Sequence, residues 1–239
     1  PQGAGRCHRQ GFRQRDVEPE AAYDAGVHYR RIILLFVLIT LPPPLLAGED
    51  TECQYHMVVW NTRTRSSSPP IEVRKPYAAL TSEERDPASG CSVCERDQVE
   101  IKLPGLKPFK VCHVFAERVR ETLEKLLAQG EPITEVEAYR VVRSRGALNE
   151  RGERTGFSNH SFGIAIDINP QQNGLYHRCV HFGPHCQLVR GGPWRPGQPG
   201  SLTAESRVVQ AFKGIGLQWG GEIAGKQKEE ICELELELR

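Results

Sequence analysis

The sequence predicts a mixed α+β fold, because segments with helical and with strand periodicity alternate along the chain. Apolar residues recur at steps of three and four over residues 111–129, as in an amphipathic helix that ends at Gly130. Over residues 162–168 they take every second position, as in a strand with one buried face. Residues 201–221 combine a short helix through Phe212 with a following strand that contains Trp219.

Size and charge narrow the class of protein. The chain has 239 residues, of which 38% are hydrophobic, enough for one sizeable core with a small accessory region. Its 31 basic and 30 acidic residues give a formal charge of +1, and the basic residues are spread along the chain. We therefore expect no nucleic-acid partner.

The most apolar segment, IILLFVLITLPPPLLAG (32–48), follows two arginines. Its apolar run is shorter than the roughly 20 residues that span a bilayer, and the basic flank and the small residues at its end are typical of a secretory signal. A buried core helix is the alternative, which the three consecutive prolines disfavour. Because the only methionine is Met57, we expect Val27 to mark an alternative start and residues 1–26 to lie upstream of the working protein.

We therefore expect three regions: an upstream segment with the signal (1–48), a Cys-containing N-terminal region (49–110) and a domain with the main motif (111–239). After signal cleavage no stable membrane span is expected. The eight cysteines fit an exported chain with disulfides. Cys91, Cys94 and Cys112 are also compatible with a zinc knuckle, for which His113 is the only close fourth ligand, but we expect disulfides. Cys179 and Cys186 predict a short disulfide loop.

The remaining elements follow from local composition. Residues 49–90 are polar and rich in turn residues, which predicts an irregular, exposed region. The stretch VEIKLPGLKPFKVC (99–112) predicts two short strands around a turn, and EVEAYRVVRS (135–144) predicts one strand. Residues 170–200 predict a long surface loop. The C-terminal alternation of Glu with Leu predicts a strand with one charged face or an unpaired tail.

The stretch SNHSFGIAIDIN (158–169) places a histidine and an aspartate seven positions apart. On a strand, Asp167 faces away from the isoleucines and shares its face with small residues. His160 would face the other way, so the two converge only if His160 lies on the incoming loop or on a bulge. Such a pair is suited to binding a first-row metal ion, and it is equally compatible with a simple hydrogen bond between the two side chains.

This stretch resembles the Ser-x-His-x-x-Gly-x-Ala-x-Asp signature of the zinc D-alanyl-D-alanine carboxypeptidases, the VanY-like peptidases of peptidoglycan. The similarity runs over roughly residues 111–228, through AYRVVRSRG, RTGF, INPQQNGLY and AFKGIGLQWGGEI. It implies a small central antiparallel sheet with flanking helices, as in hedgehog and D-Ala-D-Ala peptidases. Residues 111–239 would then form a peptidase-like zinc domain.

The resemblance also implies roles for individual residues. His160 and Asp167 match two Zn²⁺ ligands, and Ser158 matches a position that shapes the site and contacts substrate. An arginine on the preceding strand holds the substrate or its oxyanion, and Arg143 is the candidate, with Arg140 and Arg145 close in register. In the family an acid-x-x-His-Phe element supplies the general base and the third ligand; in register, Glu229 takes the first position and Cys232 the second.

Cys232 departs from the family pattern, which leaves three interpretations. Its thiolate is a zinc ligand; or the third ligand is lost and the protein is an inactive relative; or the last residues come from an altered reading frame. The histidines of HRCVHFGPHC (177–186) would form a metal site of their own, supply the missing ligand, or sit exposed on a disulfide-closed loop, which we favour.

The function implied is that of an exported zinc metallopeptidase, periplasmic or secreted in a bacterium, that hydrolyses amide bonds of peptidoglycan stem peptides. The same motif serves D,D-carboxypeptidases and L-Ala-D-Glu endopeptidases. The alternatives are a catalytically inactive module that binds cell wall or protein, and a disulfide-rich structural protein that has no need of His160 and Asp167.

Overall fold

The computed structural model describes residues 51–177, 179, 182–223 and 235–238. The strands are β1 (Glu52–Asn61), β2 (Ser66–Ser67), β3 (Ile71–Pro76), β4 (Gln98–Ile101), β5 (Phe109–Cys112), β6 (Val136–Glu137), β7 (Val141–Leu148), β8 (Arg154–Phe157), β9 (Ala165–Ile168), β10 (Leu175–His177), β11 (Gln187–Arg190), β12 (Leu217–Trp219) and β13 (Glu235–Leu238). The helices are α1 (His113–Ala128), α2 (Arg207–Gly214) and α3 (Gly220–Ile223). The predicted signal segment, Glu229 and Cys232 lie outside the described residues.

One sheet is a four-stranded antiparallel sheet in the order β12-β13-β9-β6. Ile166 and Ile168 of β9 are buried in one cluster with residues of α1 and α2, among them Leu123 and Phe212. Ile166 and Ile168 thus face the helices, as the sequence predicts, whereas Phe162 and Ile164 precede β9 and lie in a second buried cluster. The predicted helix near residues 111–129 is confirmed as α1. The α+β class is confirmed, with helices packed against a small sheet.

The second sheet has the order β2-β1-β7-β8, and β3 pairs with the other part of β1. The prediction of an irregular region over residues 49–90 is therefore wrong, because β1 and β3 lie there. The sequence of β1, ECQYHMVVWN, lacks a clean alternation: its buried residues Cys53 and Tyr55 lie opposite β3, and its second half pairs with the distant β7. β1 runs parallel to β7, with Met57 opposite Val141, so the expected boundary after residue 110 does not coincide with a break in this sheet.

Two disulfides hold this part of the fold, and one of them crosses the expected boundary after residue 110. Cys53 bonds Cys94, and Cys91 bonds Cys112, the residue that directly precedes α1. All four cysteines are buried, and the two halves of the Cys-x-x-Cys motif have different partners. The prediction of disulfides at these cysteines is confirmed. Closing loops of this length constrains the unfolded chain and stabilises the fold by about 3 kcal/mol each.

Three further predictions have different outcomes. The strands expected over residues 99–112 are confirmed as the antiparallel pair β4 and β5. The surface loop expected over 170–200 contains a hairpin, β10 with β11. Close backbone contacts at Gly174, Gly191 and Gly192 hold the base of this hairpin, and a composition rich in Gly and Pro does not predict them. Of the two possibilities left open for the Glu-Leu tail, the strand is the one observed: β13 lies between β12 and β9.

The single strand expected over residues 135–144 is interrupted. β6 ends at Glu137 and pairs in the four-stranded sheet, whereas β7 begins at Val141 and pairs in the other sheet. Residues 138–140 join the two sheets. Within the described residues, no helix is long and apolar enough to cross a membrane.

A buried carboxylate supports the second sheet. Glu84 is 4% exposed, and it accepts hydrogen bonds from the Tyr55 hydroxyl at 2.6 Å, the Lys75 ammonium at 2.6 Å and the Thr81 backbone N–H at 2.9 Å. Burial opposes ionisation of Glu84, but the bonds from Lys75, Tyr55 and Thr81 outweigh it and lower its pKa from 4.5 to about 2.

We expect Glu84→Gln to lower the free energy of unfolding at pH 7 by about 2 kcal/mol, because bonds to a charged acceptor are lost. Since the folded pKa of Glu84 lies below the unfolded value, this stabilisation is complete above pH 4.5 and is lost as the pH falls towards 2. Urea denaturation at pH 7 and pH 3 should therefore show a smaller difference in the free energy of unfolding between wild type and Glu84→Gln at pH 3. Glu72→Gln, an exposed carboxylate on β3, is the control, and parallel pH dependences of the wild type and Glu84→Gln would contradict the assignment.

Candidate functional site

The motif SNHSFGIAIDIN folds as a tight turn followed by a strand. Asn159–Phe162 form a single 3-10 turn with Ser158 as N-cap, and Gly163 ends it in the left-handed conformation at φ 67°. Ala165–Ile168 then form β9. His160 thus lies on the turn that enters the strand, the arrangement that the spacing of His160 and Asp167 requires for the two side chains to converge.

Gly163 is required by both its backbone conformation and its surroundings. A Cβ at this position would overlap the Gln98 side chain and lie 2.6 Å from the Cys112 backbone nitrogen. The Gly163 carbonyl accepts the Cys112 N–H at 2.9 Å, so the turn is fastened to the residue that precedes α1. The glycine of the motif is therefore the position at which the turn packs against the rest of the protein.

We expect Gly163→Ala to lower the free energy of unfolding by roughly 3 kcal/mol, from left-handed strain together with overpacking against backbone. Gly214→Ala is the matched control, because it lies at the end of α2 with nothing within 4 Å of its Cβ position and no positive φ. That change should be neutral or slightly stabilising. Thermal unfolding of both variants checks the difference, and equal melting temperatures would contradict it.

The side chains of His160 and Asp167 approach each other closely. His160 is 2% exposed, and its Nε2 lies 3.5 Å from Asp167 Oδ1. Asp167 is on the face of β9 opposite Ile166 and Ile168, which pack against the helices. Burial opposes ionisation of Asp167, but the neighbouring His160 and Arg140 outweigh it and hold the pKa of this carboxyl well below its ordinary value.

Arg140 contacts both members of the pair. Its Nη2 donates to Asp167 Oδ2 at 2.7 Å, and its Nη1 lies 2.9 Å from His160 Nδ1. The same Nδ1 lies 2.9 Å from the Ala138 carbonyl oxygen. Nδ1 can either accept from Arg140 or, when protonated, donate to Ala138, so the two contacts favour opposite tautomers of His160.

The tautomer of His160 that carries its proton on Nδ1 is the one suited to binding a metal ion. With the proton on Nδ1 and donated to the Ala138 carbonyl, the lone pair of Nε2 faces Asp167 Oδ1 across 3.5 Å. Two ligands of a tetrahedral ion with bonds of about 2.0–2.1 Å lie about 3.3 Å apart, close to that separation. Oδ2 is meanwhile held by Arg140. His160 and Asp167 therefore fit the role of two metal ligands.

Across the part of the chain that the structure describes, no group of three His, Cys, Asp or Glu side chains forms a metal cluster. Glu229 and Cys232, the expected general base and third ligand, lie outside that part. In the histidine-containing loop, Cys179 and Cys186 form the predicted disulfide. This favours a disulfide-closed loop for residues 177–186.

Arg143 and Ser158, the other two predicted site residues, contact residues other than His160 and Asp167. Arg143 donates to the Thr155 carbonyl and stacks over the Phe157 ring at 4.0 Å, on the five-stranded sheet. The arginine at the pair is Arg140, because the chain leaves β6 at Ala138 and residues 138–140 turn towards the site. Ser158 is buried, with Oγ 3.4 Å from Ser161 Oγ, and so contributes to the turn.

Several residues at the site carry no sequence signal. Glu137 lies opposite Asp167 in the register of β6 and β9. Asn169, the last residue of the motif, is 1% exposed; its Oδ1 accepts the Thr134 N–H at 2.8 Å, and its Nδ2 donates to the Pro132 carbonyl at 2.7 Å. These bonds fix the start of β6 to the end of β9. Only the amide chemistry of Asn and its position after an apolar strand hint at this role.

Residues 151–225 match the model of the D-alanyl-D-alanine carboxypeptidase family. The match confirms the resemblance to this family. No curated protein and no solved structure matches the chain. The matched segment of this peptidase family includes the turn and β9, and therefore His160, Gly163 and Asp167, while Arg140 precedes it and Glu229 and Cys232 follow it.

Proposed function

We propose that the protein is an exported zinc metallopeptidase that hydrolyses amide bonds of peptidoglycan stem peptides, as a D,D-carboxypeptidase. The observation that carries this proposal is the approach of His160 Nε2 and Asp167 Oδ1 to 3.5 Å, inside a segment that matches a carboxypeptidase family. A pairing of His160 with an ionised Asp167 inside this segment is what a metal site needs, whereas a purely structural protein does not require it.

His160 and Asp167 would hold the Zn²⁺ ion, with Cys232 as the third protein ligand. A zinc ion bound there would lower the pKa of its water to about 7 and polarise the substrate carbonyl. When the metal is bound, the Ala138 carbonyl would accept the proton of His160 on Nδ1, which leaves Nε2 to act as the ligand. Arg140 keeps Asp167 ionised while it leaves Oδ1 exposed to the ion.

The chain's own groups would move the proton. The Glu229 carboxylate would accept a proton from the attacking water and deliver it to the amine that leaves. Arg140 places a guanidinium beside the pair, where it would offset negative charge on the substrate carbonyl oxygen. Ser158 would shape the floor of the site through the turn that it caps.

The compartment follows from the same features. Two buried disulfides support the N-terminal strands and the start of α1, and such bonds persist in oxidising compartments. Peptidoglycan is located there, and the expected signal over residues 32–48 would deliver the chain to it. We therefore propose a periplasmic or secreted bacterial protein, with a stem peptide as partner.

The test uses the zinc-loaded full chain with purified peptidoglycan, an acylated D-Ala-D-Ala peptide and an acylated L-Ala-D-Glu peptide. We expect release of D-alanine from the first two substrates, detected as free amine. Cleavage of only the L-Ala-D-Glu peptide would make the protein an endopeptidase instead. Binding of peptidoglycan without any cleavage would contradict the proposal and favour the inactive, wall-binding relative.

A further inference from the structure

We infer that Arg190, at the end of β11, recognises the free carboxylate of the substrate's last residue. This inference rests on the proposed function and narrows the substrates to peptides with a single residue, bearing a free carboxylate, after the scissile bond. Three observations carry it: the place of Arg190 beside the site, the carboxylate that it already binds, and its exposure to solvent.

Glycines fix Arg190 in place. The two residues after it are Gly191 and Gly192, and a Cβ on either would overlap the backbone of residues 170 and 171, which directly follow β9 and Asn169. Gly192 donates to the Pro170 carbonyl at 3.0 Å and accepts the Gly174 N–H at 3.0 Å. The base of the hairpin is thus packed directly on the chain that leaves the Asp167 strand.

Arg190 ends a row of alternating charges that starts at Asp167. Arg140 binds Asp167 at 2.7 Å and lies 3.8 Å from Glu137, and Arg190 donates a hydrogen bond to the same Glu137 carboxylate. Glu137 is the neighbour of Asp167 in the sheet, so their Cβ atoms are about 5 Å apart. Arg190 and Arg140 therefore both contact the Glu137 carboxylate, which lies next to Asp167 on the same face of the sheet.

The Glu137 carboxylate shows what Arg190 binds. Its side chain is 36% exposed and that of Arg190 is 50% exposed, so the pair is open to solvent and weak enough to exchange partners. A terminal carboxylate lies about one residue from the carbonyl of the last peptide bond. A peptide with that carbonyl at His160 and Asp167 would present its carboxylate to Arg190, which would bind it in place of Glu137.

The experiment compares acetyl-D-Ala-D-Ala with its C-terminal amide. Dissociation constants are measured by titration of the full chain with chelator present, and kcat and KM are measured for the zinc-loaded full chain. We expect Arg190→Gln to weaken binding of the acid and raise its KM about 10-fold, with little change for the amide or in kcat. Glu137→Gln should act in the opposite direction and tighten binding of the acid, because the competing carboxylate is removed.

Arg207→Gln is the matched control, because Arg207 also pairs with a glutamate, Glu131, but lies on α2 behind the sheet. Equal effects of Arg190→Gln on acid and amide, or no effect on either, would overturn the inference. Hydrolysis of the acid by the wild type with no such discrimination would leave the proposed function intact. If the wild type hydrolyses nothing but binds the acid through Arg190, the proposed function fails and the recognition stands.

Discussion

Purified protein supplied with zinc is expected to retain about one ion per chain, and His160→Ala and Asp167→Asn are expected to lose it together with all measurable hydrolysis. Nε2 and Oδ1, at 3.5 Å, supply two of the expected ligands, and neither an alanine nor an uncharged amide replaces them. The measurement is zinc content after dialysis, alongside the rate of D-alanine release.

His113→Ala is the control for this result. His113 is the histidine beside the disulfide cysteines, and its Nδ1 lies 3.1 Å from the Asp97 carbonyl. If zinc were bound near Cys91 and Cys112, this variant would lose it while His160→Ala kept it, and the assignment of the site would be wrong. A wild type without zinc at a millimolar supply would point to the inactive relative.

Arg140→Gln is expected to lower kcat/KM about 100-fold, because the variant loses the charge that holds Asp167 ionised and supports the pair. Arg140→Lys should recover part of that loss, since an ammonium keeps the charge but cannot contact Asp167 and His160 together. Steady-state kinetics on the acylated D-Ala-D-Ala peptide check both variants.

Arg143→Gln is the matched control, because Arg143 lies on the adjacent strand and is engaged by Thr155 and the Phe157 ring. We expect its kcat/KM to stay within a few-fold of the wild type once melting temperatures are compared. The reverse ranking, with Arg143→Gln inactive and Arg140→Gln active, would restore Arg143 as the arginine of the site.

The parts of the fold that the sequence predicted are those governed by local pattern. The stripe of α1, the alternation of β9 and the need for His160 to lie on a turn all follow from spacings within a few residues. The family signature is local as well, which is why His160 and Asp167 were identified as candidates without a structure.

The parts that the sequence did not predict depend on distant partners. EVEAYRVVRS alternates through residue 144, and nothing local marks residues 138–140 as the place where the chain passes from one sheet to the other. Because of that passage, Arg140 and not Arg143 is the arginine that contacts His160 and Asp167. The parallel pairing of β1 with β7 likewise joins strands about 85 residues apart, for which composition offers no signal.

Residues 138–140 also decide how long a fragment of the protein must be to keep the site intact. The segment that carries the family signature, residues 151–225, includes His160 and Asp167 but neither the Ala138 carbonyl nor the Arg140 guanidinium that contact them. β9 also has its two neighbours, β6 and β13, outside that segment. A fragment limited to residues 151–225 would keep His160 and Asp167 but lose the strands and the residues that orient them. The autonomous unit therefore reaches back at least to β1, whose pairing with β7 anchors the strand that follows Arg140.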